Sequence, residues 1–161
     1  MLLRRDQTQI YEELYHLQNC EMALGAYYQQ LAELYPKERM IWETAFSDEV
    51  GHAHWVGQVI ALVATDIGNF SQGRFRIELL RTFLEGIYQN LDKASKGELT
   101  RKELLQLALD YEHSLVLQKP YEAVQSALPD FVNLVKGHAP EVQEHSQRLQ
   151  NYLRQKLAEL G

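Results

Sequence analysis

Cysteine is all but missing from this chain. Cys20 stands alone among 161 residues, which excludes an intramolecular disulfide, a cysteine-pair redox centre and a four-cysteine iron or zinc site. A solitary thiol suits a reducing compartment, and the expected location is cytoplasmic. Long apolar runs are missing too: no stretch of 18 apolar residues occurs, so no membrane-spanning helix is expected. The opening Met1 to Gln7 holds no apolar segment long enough for a signal peptide, and export is not expected either. Basic residues are in the minority, 16 against 22 acidic, for a net charge of −6. That sign is wrong for a phosphate backbone, so no nucleic-acid partner is expected, and it favours attraction of cations.

Proline is scarce, with four residues, and each falls where a helix is expected to stop. The breaks are Pro36, the Asp66 to Gly73 stretch, Lys96-Gly97, Pro120, Pro129 and the Gly137 to Pro140 cluster. Between them the apolar residues recur at spacings of three and four. From Ile10 the first seam runs Leu14, Leu17, Leu24 and Leu31, with Tyr28 and Tyr35 alongside, and position 21 on it is Glu. The second runs Trp42, Ala45, Val56, Val59 and Val63, and the two positions missing from its pattern are Glu49 and His52. A third segment, Phe75 to Leu91, carries Ile77, Leu80, Leu84 and Ile87 and reads as a crossover helix.

Thr100-Arg-Lys-Glu103 has the form of a capping box, so a new helix is expected there. Its seam reads Leu105, Ala108, Glu112 and Leu115, again interrupted by a glutamate, and Lys119 follows two turns later. A last helix offers Val135, Val142, Leu149 and Tyr152, with His138 and His145 between them. Glu21 to His52 spans 31 residues and Glu112 to His145 spans 33, which reads as an internal repeat of two helical hairpins. The expected chain is one all-α domain over 1–161: hairpin 1 over about 6–65, a crossover helix over about 74–92, and hairpin 2 over about 100–160. Duplicated hairpins would place two glutamate helices and two histidine helices around one axis, as metal sites in bundles require.

The stretch Trp42-Glu-Thr-Ala-Phe-Ser-Asp-Glu49-Val-Gly-His52-Ala53 resembles the second-helix motif of rubrerythrin-type members of the ferritin-like superfamily. Glu21 with Tyr27-Tyr28 is similar to that family's first helix, and Glu112 within Ala108-Leu-Asp-Tyr-Glu-His-Ser to its third. The resemblance covers nearly the whole chain. It implies a ferritin-like four-helix bundle holding a pair of iron or manganese ions through four carboxylates and two histidines. Carried onto this sequence, Glu21, Glu49, His52, Glu112 and His145 match, with Glu49 as a bridging ligand and Glu21 and Glu112 each capping one ion. At the sixth position, three residues before His145, the family has glutamate and this chain has Val142. The rubredoxin-like cysteine module of full rubrerythrins is absent from the sequence, so the electron donor is unknown. The resemblance also implies a homodimer.

Divalent iron or manganese prefers carboxylate oxygen with some imidazole, and zinc accepts the same donors. Glu49 and His52, at i and i+3, project from one helical face and can meet one ion. With Glu21 that half-site is complete and leaves open positions, whereas the half around Glu112 and His145 is short of one carboxylate. The cofactor expectation is therefore one or two irons per chain. Glu141, one turn before His145, is a substitute ligand if an irregularity around Gly137 to Pro140 turns it inward. Each residue has a plainer role beside this one. A lone glutamate on a seam, Glu112 above all, can lay its stem on the core and keep its carboxylate in water. His145 can be a satisfied core histidine, and Lys119 can replace an ion by pairing with a carboxylate. His16, His54, His113 and His138 read as surface or packing residues and Cys20 as a small buried group; the nine tyrosines and two tryptophans read as helix packing, although Tyr28 or Tyr111 near a metal can hydrogen-bond a bound oxygen species.

Three function classes follow: a metalloprotein whose reduced metal reacts with dioxygen or peroxide, an iron-binding protein for storage or delivery, and a bundle with a decayed site acting as an interaction or regulatory module. Catalytic residues are not identified by the sequence.

Overall fold

The computed structural model describes residues 5–161, with side chains from Gln7 onward. The first four residues, and with them most of the segment bearing on export, lie outside the described residues. The architecture is all-α: α1 (Arg5–Leu34), α2 (Arg39–Thr65), α3 (Ile77–Ser95), α4 (Arg101–Glu112), α5 (Leu115–Gln118) and α6 (Pro129–Glu159). One antiparallel pair of two-residue strands, β1 (Ser71–Gln72) and β2 (Val124–Gln125), joins the two long connections. α1 packs on α2 and α3, α2 on α6, and α6 on α4. None of the described helices is long and apolar enough to cross a membrane.

Local chemistry sets the helix ends. Pro36 and Pro129 stand in first turns, where a missing N–H costs nothing. The Thr100 capping box forms in full: Glu103 N donates to Thr100 Oγ1 (3.2 Å) and Thr100 N to Glu103 Oε2 (2.7 Å). α3 ends at Gly97, which takes φ +70° while Gly97 N and Glu98 N bond back to Ala94 O and Lys93 O. Pro140 departs from the expectation of a break. It sits inside α6 on the solvent face, and the helix runs on through it because Phe131, Val142, Leu149 and Leu153 anchor both flanks in the core.

The second hairpin is not a copy of the first. α4 is 12 residues long against 30 for α1, and Ser114 restarts a short helix by accepting from Val116 N. The seam drawn through Glu112, Leu115 and Lys119 is therefore interrupted at Glu112. Leu115 is exposed, and Lys119 lies partly exposed at the end of α5, 3.9 Å from Glu122.

The core falls into two apolar halves. One gathers Leu24, Tyr27, Tyr28, Trp42, Leu105 and Leu149; the other gathers Ile10, Leu14, Val56, Val59, Phe75 and Phe131. Burying each such side chain contributes about 1.5–3 kcal/mol. Between the halves, at mid-length of α1 and α2, lie buried Glu21, Glu49 and His52.

The β1–β2 clasp admits no side chain at Gly73, where a Cβ would come 2.0 Å from Glu122 O. Gly73→Ala is expected to destabilise by about 1–3 kcal/mol, the usual cost of forced overpacking. Gly86→Ala, in α3 with nothing within 4 Å, is expected to stabilise by about 0.5–1 kcal/mol. Urea denaturation of both variants checks the opposite signs.

Candidate metal centre

Each carboxylate of the cluster reaches the interior because its helix presents it on the core-facing seam. Gly25 lets α2 come close to α1 beside the site: a Cβ there would meet Phe46 Cδ2 at 3.3 Å and Glu49 Cβ at 3.5 Å. Glu21, Glu49, His52, Glu112 and His145 are all buried, and the structure brings all five together. Glu49 stands in the middle, and its two oxygens face different ways. Oε2 lies 3.1 Å from His52 Nδ1, and Oε1 lies 2.8 Å from His145 Nε2. Beyond His52, Glu21 Oε2 is 3.7 Å from Nδ1; beyond His145, Glu112 Oε1 is 3.5 Å from Nε2. The result is two lobes sharing one carboxylate, each with a terminal glutamate and one imidazole. The tightest triangle of donor atoms, all within 4.8 Å of one another, belongs to Glu49, His52 and His145.

These residues fit a cation. Glu21 is wholly buried, and neither of its oxygens has a hydrogen-bond partner, His52 being too distant. His145 Nε2 is likewise buried without a hydrogen bond, its short contact with Glu49 being too oblique. Buried polar atoms are seldom left so, since each costs about 1–3 kcal/mol.

In the metal-free protein, protons supply the positive charge. Burial works against protonation of both histidines, but Glu21 and Glu49 push His52 up to about 10, and Asp48, Glu112 and Glu49 push His145 up to about 12. Glu49 moves the opposite way. Burial would raise it, and the close imidazoles of His145 and His52 hold it well below the usual carboxylate range. Glu21 is raised well above that range by burial and by the charge of Glu49.

Asp48, Ser146 and Gln150 were not foreseen in the sequence, whereas Tyr28 and His138 were singled out there. Asp48 Oδ2 accepts from His145 Nδ1 (2.9 Å) and from Arg148 Nη2 (2.6 Å), which fixes the His145 ring with Nε2 inward, as outer carboxylates do at metal histidines. Tyr28 donates its hydroxyl to Glu112 Oε1. Ser146 Oγ and Gln150 Nε2 both reach the Glu112 carbonyl at 3.4 Å, serving an orphan acceptor at the end of α4. His138 is buried and stacks on Trp55 with ring centroids 4.1 Å apart. Burial and the nearby charge of His52 push it down to about 3, so it is neutral.

Other expected contributors stand elsewhere. Val142 is fully buried and offers no donor, and Glu141 stays exposed because α6 remains regular around it. Lys119 does not reach the cluster. Tyr111 accepts from Asn90 Nδ2 at 2.8 Å, and Cys20 is buried with its thiol toward Leu80 O. His54 and His113 are exposed and His16 is half-buried, bonded to Glu12 O on its own helix. A cleft of about 360 Å³ between α2 and α6, lined by Asp48, His52, His138, Glu141, Glu144 and His145 among others, connects the cluster to solvent.

Comparison with protein-family models, curated proteins and solved structures finds no match for this chain. The site has to be read from its own chemistry.

Because both histidines carry protons at pH 7, a divalent ion has to displace them. Affinity is expected to fall as pH falls between 9 and 6, by about tenfold per pH unit for each imidazolium displaced. Calorimetry in buffers of different ionisation enthalpy is expected to show at least about two protons released per chain when both lobes fill, one from each imidazolium, with the raised Glu21 adding to that number.

Proposed function

We propose that the chain is a ferritin-like metal-binding protein of rubrerythrin-like type, whose two lobes hold iron for redox chemistry with dioxygen or peroxide. The observation that carries this reading is the orientation of Glu49. A carboxylate with one oxygen toward each of two imidazoles, flanked by two further buried glutamates, is the donor set of a dinuclear carboxylate centre with one bridge. Glu21, Glu49 and His52 would hold one ion; Glu112, Glu49 and His145 would hold the other. Bound ferrous iron supplies the electrons for reducing an oxidant.

The protein's own residues do the rest. Three glutamates set against the ions offset cationic charge in a low-dielectric interior. Asp48 keeps the His145 ring turned, and Tyr28 holds one oxygen of Glu112. The cleft between α2 and α6 has room for a diatomic oxidant, and Asp48, Glu141 and Glu144 line it together with Arg148. An external electron donor and a homodimer belong to the same reading.

A second reading rests on Val142 and on the ion pairs. With both imidazoles protonated, the cluster balances Glu49 and Asp48 without metal, as a retired site serving an interaction role would. Elemental mass spectrometry after anaerobic ferrous loading separates the two. One or two irons per wild-type chain are expected, with the lobe of Glu21 filling first. Glu49→Ala, which removes the shared carboxylate, is expected to lose tight binding. Undiminished iron in that variant sinks the assignment, and a folded wild-type protein with no iron establishes the second reading.

A further inference from the structure

His138 is the one buried donor near the cluster with no role in the reading above. Its side chain is only 5% exposed, and its Nε2 is enclosed without a hydrogen-bond partner. A histidine nitrogen enclosed without a partner is seldom left so, and Nε2 calls for a cause. The ring is held in place: it lies flat on Trp55, at 4.1 Å and 4°, and the indole Nε1 of Trp55 donates to Leu134 O on α6 at 3.2 Å. Its edge-to-face relation to His52, 5.4 Å and 88°, nearly repeats the relation of His52 to His145, 5.1 Å and 84°. His138, Val142 and His145 share one seam of α6, and the middle position has no donor.

We infer that His138 is a third imidazole donor to the metal centre, taking an ion on the cleft side of His52. The inference rests on the metal-binding reading. The lobe of His52 otherwise offers three protein donors, from Glu21, Glu49 and His52, and hard divalent ions take more. His138 is not one of the triangle of Glu49, His52 and His145, but its ring centroid is 5.4 Å from that of His52, along the wall of the cleft by which an ion would arrive. Trp55 serves as the positioning residue that keeps the ring facing the cleft.

The test uses the full chain loaded with Mn(II), with pulsed electron paramagnetic resonance to count coordinated nitrogens and competition with a chelator to give affinity. At the ion of the Glu21 lobe two histidine nitrogens are expected in the wild type, from His52 and His138. His138→Gln is expected to lose one of them and to bind one ion at least about tenfold more weakly, a loss that even outer-shell partners cause. Unchanged affinity and nitrogen count in a His138→Gln protein that melts like the wild type overturns the inference and leaves the metal reading intact. A wild type that binds no Mn(II) or iron overturns both. Should His138→Gln not fold, the wild-type count at that ion decides: two histidine nitrogens support the role and one refutes it.

Discussion

A carboxylate cannot stay charged in a protein interior unless positive charge stands within a few ångströms of it, and the middle of this molecule is organised around that demand. Glu49 sits between the imidazoles of His52 and His145, at 3.1 and 2.8 Å. Removing either partner would strand a buried charge at a cost of several kcal/mol. The histidines depend in turn on Glu21, Glu112 and Asp48, so α1, α2, α4 and α6 each contribute to one electrostatic unit. The apolar halves on either side exclude the water that would otherwise satisfy these groups.

Exclusion of water also explains why the supporting polar groups are themselves buried. Ser146 and Gln150 spend hydrogen bonds on a backbone carbonyl, and Tyr28 spends its hydroxyl on a carboxylate. Tyr27 donates to Leu104 O at 2.6 Å, a second tie from α1 into α4. These bonds hold Glu112 at the very end of α4, where a helix terminus would ordinarily fray. The position of one lobe is thus dictated by α1 and α6 more than by the helix that carries its glutamate.

The five cluster residues were legible in the sequence for one physical reason: each breaks a three-four apolar spacing at a place where burial without a partner would be costly. The capping box at Thr100 was legible because both of its bonds are local. Asp48 was not, since its partner is 97 residues away and its own position lies off the seam. Lys119 was misplaced by extending a helix past its end; the polar pair His113-Ser114, with serine as the new N-cap, was the available signal. His138 was legible as a packing residue, and it stacks on Trp55; the break expected at Pro140 does not occur, because a proline on the solvent face of a well-anchored helix does not make one. The decline from a 30-residue α1 to a 12-residue α4 hid behind nearly equal spacings of 31 and 33 residues.

The smallest element of the fold links the two halves of the chain. β1 and β2 contribute two residues each, far too few to persist as a free hairpin, and they come from connections more than fifty residues apart. Their ladder, extended by Gly73 N and Arg74 N to Ala123 O and Glu122 O, exists only while α2 and α6 are both docked at that end. Amide protons of Gly73 and Arg74 therefore report on cooperativity: their exchange with solvent tracks the parting of the two halves, and a protein in which either half loosens alone would betray it there first.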